Sequence, residues 1–410
     1  MARTERRWRA TGCGVVGLAV GLASCSTPRP LRTTTSGLEA LEVRLDSGAE
    51  LPRPPLPPGA DTNGATEYYR WAEPRVRFGG KLDSAEMALY WASRLDPTWP
   101  EPIYARAVVI LKAAQHDAFE TWFKTRSVRA TKQVSLTPRQ VQLVDSLTRV
   151  AWARNPFLYT NLEFAQLDLR RLGDRAQAGG LAYASRHFAA AESLFALALR
   201  DHPGDIGVRI YRAQALFFLQ RFDGAVTELE AARDSLRAAT AARLSIVLPS
   251  VEMFEYAIGI ARVQQDDFPA ARAAFQRALT ENLAFYWAHA RLAGAALALR
   301  DTSTALTELD MAVQLEGRDP ALRLYDGVVL AGAGRLDEAA GQLERAIALD
   351  PYYAAPYYWL ATVSRARGHT REAMDQYQQF LAHAARLDAD RQRALVALGE
   401  LGVAHPDSGN

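Results

Sequence analysis

Few residues of this chain have the types and spacing that enzymatic chemistry requires. Its seven histidines are scattered, and no cysteine or histidine pairing has the spacing of a metal site. The run from Gly12 to Gly17 fits a dinucleotide-binding glycine pattern, but no predicted strand precedes it. The adjacent carboxylates Asp266 and Asp267 fall in a predicted turn, where aspartate caps the next helix. We therefore predict no catalytic, cofactor-binding or metal-binding residues and no enzyme activity.

Cys25 is the residue with the clearest predicted chemistry. A basic start with four arginines in residues 3–9 precedes an apolar run over 12–22, which is too short to span a bilayer. The run ends in Leu-Ala-Ser-Cys at 22–25, which resembles the lipobox of bacterial lipoproteins. That resemblance implies a signal peptide over residues 1–24 and a lipid anchor on Cys25. The alternative is a plain secretory signal in which Cys25 is incidental.

The same resemblance bears on location and charge. Ser26 follows the cysteine where aspartate would favour the inner membrane, so we expect the outer membrane, facing the periplasm. Removal of residues 1–24 takes away four arginines and one glutamate, and the net charge changes from +2 to −1. The basic pI therefore gives no reason to expect a nucleic-acid partner. Cys13 leaves with the signal, so the mature chain has no cysteine pair for a disulfide.

Residues 25–63 are predicted to form a lipid-anchored linker rich in proline and threonine. The stretch 26–36 is polar, and the prolines of 51–58 favour an extended polyproline conformation. We interpret the linker as a spacer between the lipid and the folded part of the chain. The alternative is a ligand for a partner that recognises proline-rich segments.

Small residues recur at an interval of 34 in the C-terminal half of the chain. They are Ala271, Ala305, Ala339 and Ala373, with Gly259, Ala293, Gly327 and Ala361 twelve residues before them. A strict period of this length is typical of a solenoid of helix pairs. Small side chains at these positions are predicted to let the two helices of a unit approach closely.

Each unit is predicted to contain two helices. Residues 336–349 are one example of a second helix, which Asp350-Pro351 ends. This segment and its counterparts resemble the tetratricopeptide repeat (TPR) family over residues 172–387. The resemblance implies an all-α, right-handed superhelical TPR solenoid of antiparallel helix pairs. Six units are predicted to start near 172, 206, 252, 286, 320 and 354, with a capping helix over 388–403.

Two regions depart from the period. Residues 64–171 are predicted to form irregular TPR-like helix pairs with an insertion at 116–136, and about twelve further residues are inserted at 240–250. The first insertion carries three aromatic residues, Phe119, Trp122 and Phe123, beside basic residues. It would face lipid headgroups or an anionic partner, or fold back on the solenoid.

The resemblance also implies a concave groove lined by the first helix of each unit. Its predicted lining is Phe217, Phe218, Tyr256, Ile260, Trp287, Leu324, Val328 and Tyr358. Such a surface would suit an apolar or amphipathic segment of a protein partner. Each of these residues could equally be core between neighbouring units. The pattern leaves open whether the groove is empty or filled by the chain itself.

These features together predict a membrane-anchored scaffold that mediates protein–protein interactions in the bacterial cell envelope. The resemblance to TPR lipoproteins implies a protein partner, membrane contact through Cys25 and no cofactor. One alternative is an envelope protein that binds a glycan or small molecule in the aromatic groove. Another is an enzyme with its site in the irregular region 65–171.

Overall fold

The computed structural model describes residues 50–77, 81–125, 136–158, 173–238 and 250–404. Within these ranges the regular elements are seventeen α-helices, so the predicted all-α fold is confirmed. The helices are α1 (Ala65–Arg77), α2 (Leu82–Leu95), α3 (Pro100–Thr125), α4 (Pro138–Arg154), α5 (Asp174–Ala184), α6 (Phe188–Asp201), α7 (Ile206–Phe218), α8 (Phe222–Ala238), α9 (Val251–Val263), α10 (Phe268–Glu281), α11 (Tyr286–Ala298), α12 (Thr302–Leu315), α13 (Pro320–Gly332), α14 (Leu336–Leu349), α15 (Ala355–Ala366), α16 (Thr370–His383) and α17 (Arg391–Ala404).

Some sequence predictions lie outside the described residues. They concern the signal peptide 1–24, Cys25, residues 126–135 of one insertion and residues 239–249 of the other. The side chains of the aromatic residues in the first insertion also lie there, namely Phe119, Trp122 and Phe123. These predictions remain predictions.

Helices α5 to α16 form six successive pairs. The pairs begin at 174, 206, 251, 286, 320 and 355, beside the predicted starts near 172, 206, 252, 286, 320 and 354. Each helix from α5 onward packs against the next one along the chain, so the pairs stack into one solenoid. Helix α8 has 17 residues where α6 has 14, because it extends towards the second insertion.

The first helix of every pair ends in the same way. Two or three residues beyond the end of each of these helices, one residue has a positive φ of 57–80°. These residues are Arg186, Gln220, Asp266, Arg300, Gly334 and Gly368. The next amide then donates to a carbonyl five residues back, as His187 N does to Ala182 O at 2.9 Å. This hydrogen bond defines a Schellman motif, which satisfies carbonyls that the helix leaves unpaired. Only two of the six positions have glycine, so the motif tolerates strained arginine, glutamine and aspartate elsewhere.

Small residues lie where the two helices of a pair cross. The six repeat alanines are fully buried: Ala271, Ala293, Ala305, Ala339, Ala361 and Ala373. At Gly259 an added Cβ would lie 2.4 Å from Phe275 Cε1, and at Gly327 it would lie 2.7 Å from Leu343 Cγ. Gly179 repeats this contact against Phe195 in the first pair, at 2.7 Å. The crossing helices are therefore closer than any larger side chain would allow.

The N-terminal helices form two further pairs with an apolar core of their own. Helix α1 packs on α2, and α3 packs on α4. Their core includes Tyr68, Leu89, Trp91 and Val109. We refer to residues 50–158 as the N-terminal region.

The expectation of a spacer is wrong for residues 50–63, which lie against the folded chain. Leu51 is 1% exposed, and its carbonyl accepts a hydrogen bond of 2.9 Å from the indole Nε1 of Trp91. Pro54 is buried as well. An extended proline-rich backbone forms no helix or strand, but alternate side chains can still insert into a neighbouring core.

Helix α17 covers the last pair. Ala394, Ala397 and Leu401 are buried in the same apolar cluster as Tyr377 and Phe380. The opposite side of the helix faces solvent, where Leu395 and Val396 are about half exposed. The helix thus closes the apolar end of the solenoid, as a terminal repeat must.

Candidate functional site

Part of the predicted groove is covered by the chain itself in this structure. The end of α4 and the residues that follow it, Ala153 to Leu158, contact the first helices of successive units. Ala153 belongs to the apolar cluster of Tyr256 and Trp287, and Phe157 belongs to that of Ala213 and Phe254. We refer to residues 153–158 as the inserted segment and to the surface that it covers as the groove.

Phe157 anchors the end of the inserted segment. Its ring stacks on Phe217 of α7 with centroids 3.8 Å apart and planes 5° apart. The backbone before it turns at Asn155-Pro156, where Asn155 Oδ1 accepts a hydrogen bond of 2.9 Å from the Phe157 amide. The asparagine side chain and the proline together fix the turn that delivers the ring. The result is a buried aromatic contact between the two halves of the chain.

Two groove side chains cap the carboxyl end of α4. Tyr256 donates its hydroxyl to Ala153 O at 2.5 Å, and Arg291 Nη2 donates to Arg154 O at 3.1 Å. These carbonyls are among the last four of the helix, which have no partner within it. Burial raises the pKa of Tyr256, although the adjacent Arg291 opposes the shift, so the hydroxyl keeps its proton. The positive charge of Arg291 also complements the negative end of the helix dipole.

Arg154 supplies the charged contact of the inserted segment. Its Nη2 lies 2.8 Å from Asp319 Oδ1, and the two side chains are 6% and 5% exposed. Its guanidinium carbon lies 4.6 Å from the ring centroid of Trp287. Asp319 is held in place because the same oxygen accepts from the Ala321 amide at 3.0 Å, at the start of α13. The ion pair is thus fixed on the groove side by a helix cap.

The buried polar groups here are incompletely paired. Among the described residues, Arg154 Nε and Nη1 have no hydrogen-bond partner. Buried donors without acceptors reduce the stability of a contact. The inserted segment therefore fits the groove less well than a fully paired ligand would.

A second set of polar contacts joins the start of the N-terminal region to the last two units. Arg94 makes two hydrogen bonds to Asp350, at 3.0 and 2.9 Å. Trp91 meets Tyr352 edge to face, with ring centroids 4.9 Å apart. Other contacts join residues 59–63 to unit six: Asn63 donates to Ala382 O at 2.8 Å, and Arg386 donates to Gly59 O at 2.7 Å.

Three of the eight predicted groove residues meet the inserted segment, namely Phe217, Tyr256 and Trp287. Four of the other five contact neighbours within the solenoid. Phe218 stacks on Phe188, and Tyr358 contacts the rings of Tyr377 and Phe380. Ile260 and Leu324 pack against apolar clusters, and Val328 is half-buried. As contacts for a partner in trans, all eight remain predictions.

The polar residues of the site were not predicted from the sequence, namely Arg154, Arg291 and Asp319. Asp319 precedes Pro320, which predicts a helix cap and nothing more. Phe157 follows an Asn-Pro turn, a signal for a chain reversal that does not reveal what the ring contacts.

The irregular region that was the alternative location for an enzyme site consists of helix pairs in its described parts, 65–77, 81–125 and 136–158. Its buried carboxylate, Glu86, is paired with Arg106 at 2.7 Å, and burial raises its pKa despite that pairing. No cluster of three potential metal ligands occurs in the part of the chain that the structure describes. The aromatic surface expected for a glycan is covered at Tyr256 and Trp287 by the inserted segment.

No family model matches the chain, and no curated protein matches it. Solved structures that resemble it are TPR proteins. YrrB, described as having an unusual peptide-binding site, shares 22% identity over 50% of this chain and 96% of its own, with a TM-score of 0.38. A thermophilic TPR protein of Thermus thermophilus shares 23% over 47% and 99%, at 0.36. The C-terminal part of a TPR repeat-containing protein from Cytophaga hutchinsonii shares 14% over 55% and 84%, at 0.45.

The helix pairs of the chain itself define its fold, because the TM-scores of these structures are below 0.5. The first helices of the last four pairs begin 34 or 35 residues apart, at Val251, Tyr286, Pro320 and Ala355, and each ends in the same Schellman motif. This chain is an all-α protein of stacked helix pairs.

Proposed function

We propose that this chain is a scaffold that holds protein partners at a bacterial membrane and has no catalytic activity of its own. The observation that carries the proposal is the inserted segment. The groove contacts its backbone carbonyls through Tyr256 and Arg291, its charged side chain through Asp319 and its aromatic ring through Phe217. Contacts to backbone, charge and ring together are the chemistry of a surface that binds polypeptide.

The membrane part of the proposal rests on the sequence around Cys25. The basic start, the short apolar run and the Leu-Ala-Ser-Cys tetrad favour an acylated cysteine, and Ser26 favours the outer membrane, facing the periplasm. Among the described residues, no helix is both long and apolar enough to cross a bilayer.

Metabolic labelling with an alkyne fatty acid tests the anchor. We expect the full chain to incorporate the label in a bacterial host and to remain with the membrane fraction. Cys25→Ser should abolish the label and release the protein, whereas Cys13→Ser should change neither result after signal cleavage. Equal labelling of the Cys25→Ser chain would exclude the anchor.

Cross-linking in membranes tests the scaffold. A defined protein should be recovered with the full chain, and Phe217→Asp should reduce its recovery because it places a charge in the aromatic contact. Leu395→Asp is the matched control, because this leucine is half exposed on α17, away from the groove. Equal recovery with both variants would remove the groove from the proposal.

A further inference from the structure

We infer that the groove selects a partner segment with the chemistry of the inserted segment. Such a segment is the end of a helix that carries an arginine in its last turn and an aromatic ring three residues later. The inference rests on the proposed function and adds to it the kind of partner. It follows from the internal occupant, which shows what each part of the groove accepts.

The backbone contacts define the helix end. Tyr256 and Arg291 donate to the carbonyls of Ala153 and Arg154, which a helix leaves free only at its carboxyl end. The middle of a helix has these carbonyls already paired, and an extended strand would not present two successive carbonyls to the same side. The groove therefore recognises a terminus.

The side-chain contacts define the two anchors. Asp319 is a buried carboxylate fixed by its own helix cap, so an occupant without a cation would leave its charge unpaired. Phe217 offers a flat ring to an aromatic partner, as it does to Phe157. Arginine and aromatic residues are also the side chains that most often dominate binding at protein interfaces.

The internal occupant can be displaced. The N-terminal region has its own apolar core, and the solenoid contributes Tyr352 to the edge of that core. The other contacts between the two parts combine the apolar packing of Ala153 and Phe157 with ion pairs and hydrogen bonds. Among the described residues, two buried donors of Arg154 have no acceptor. An interface of this composition resembles those between domains that separate.

A peptide-binding measurement with the full chain tests the inference. The probe is a labelled peptide of residues 144–158, followed by fluorescence anisotropy. The unmodified chain should bind it weakly because the inserted segment competes. Phe157→Ala, and separately Arg154→Gln, weaken the internal occupant without altering the groove. Each should increase the affinity at least tenfold, because it raises the population with an empty groove.

Changes in the groove and in the peptide should have the opposite effect. Asp319→Asn in the Phe157→Ala chain keeps the helix cap but removes the charge, and should lower the affinity at least tenfold. The same loss is expected for a peptide with alanine in place of Arg154. A peptide with alanine in place of Asp145 is the matched control and should bind as the original does.

Three results would overturn the inference. The first is an absence of binding to both opened variants when circular dichroism shows them folded. The second is binding that Asp319→Asn leaves unchanged. The third is a dimer of the opened variants that excludes the peptide, because the occupant would then be a second copy of this chain. The assay contains no membrane, so peptide binding without any partner in membranes would overturn the proposed function alone.

Discussion

The helix crossings within a repeat unit and the contacts between the N-terminal region and the groove differ in the side chains that form them. Between the helices of a unit, glycine or alanine faces an aromatic or leucine side chain, as Gly259 faces Phe275. Between the N-terminal region and the solenoid, ion pairs such as Arg94–Asp350 and Arg154–Asp319 recur. Close apolar packing stabilises strongly, whereas a buried ion pair recovers little beyond its desolvation cost. The comparison indicates that the helix pairs stay folded together, whereas the inserted segment can leave the groove.

The largest effect should come from a charge placed in a helix crossing. Ala339→Arg would overpack a fully buried position and bury an unpaired guanidinium. We expect a decrease of about 4 kcal/mol in the free energy of unfolding, measured by urea denaturation. Ala348→Arg, on the exposed side of the same helix, is the control and should change it by less than about 0.5 kcal/mol. Similar losses for the two variants would contradict the packing described for α14.

Replacing a glycine by alanine adds one methyl group, and its effect on the free energy of unfolding should differ between glycines that pack closely and those that do not. Gly259→Ala would place Cβ against the Phe275 ring and should cost about 2 kcal/mol. Gly341→Ala meets no neighbouring atom within 4 Å and should instead stabilise the chain by about 0.5 to 1 kcal/mol. The melting temperature, measured by thermal unfolding, should fall for Gly259→Ala and rise for Gly341→Ala. A stabilising effect at Gly259 would show that the helices do not approach as closely as the structure indicates.

The polar contacts should give a smaller and more local effect. Arg94→Gln removes the paired hydrogen bonds to Asp350, at an expected cost of about 1.5 kcal/mol. Hydrogen exchange should accelerate in residues 50–95 and remain unchanged in 320–349. Arg70→Gln, which removes an exposed pair with Glu67, should have no comparable effect. Faster exchange throughout the solenoid would mean that the two parts unfold together.

A polar contact of His289 inside the solenoid should make the stability of the chain depend on pH. His289 is buried, with Nδ1 2.6 Å from Glu308 Oε2 and Nε2 3.0 Å from Leu283 O. Burial favours the neutral ring, but the hydrogen bonds to Glu308 and Leu283 outweigh it and raise the pKa of His289 above 6.5. The contribution is therefore complete below pH 6.5 and disappears as the pH rises through the folded-state pKa.

The variant His289→Gln tests that contribution. It should lower stability by about 1 kcal/mol at about pH 5.5 and by less at about pH 9. Melting temperatures across this range provide the measurement, and His187→Gln at an exposed position is the control. A loss that increases with pH would reverse the assigned protonation.

The period of the sequence was sufficient to predict the helix pairs, because each depends on residues within one unit. Ala339 and Gly327 could be placed at a crossing from spacing alone, and Gly179 has the same phase twelve residues before Ala191. The turns were harder to predict. Arg186 and Arg300 adopt the left-handed conformation that glycine marks at Gly334, since the Schellman hydrogen bond enforces it regardless of residue type.

The occupant of the groove could not be predicted from the sequence for a different reason. Arg154 and Asp319 are 165 residues apart, and neither belongs to a local pattern that points to the other. The proline-rich composition of 51–58 correctly excludes helix and strand but says nothing about packing, and Leu51 is buried. Periodicity specifies the surface that each unit presents, whereas long-range pairing of single side chains decides what covers it.

The contacts of Arg386 with Gly59 and Asp61 have a consequence for the order of events during synthesis. They join residues 327 and 325 positions apart. The ribosome releases residues 59–61 long before Arg386, so these contacts can form only after the six units have been synthesised. Until then the inserted segment covers Phe217, Tyr256 and Trp287 without the support of these contacts to unit six. A partner that arrives in this interval competes with a more weakly held inserted segment for the groove. The time of arrival, as well as the affinity, then decides which of the two is bound.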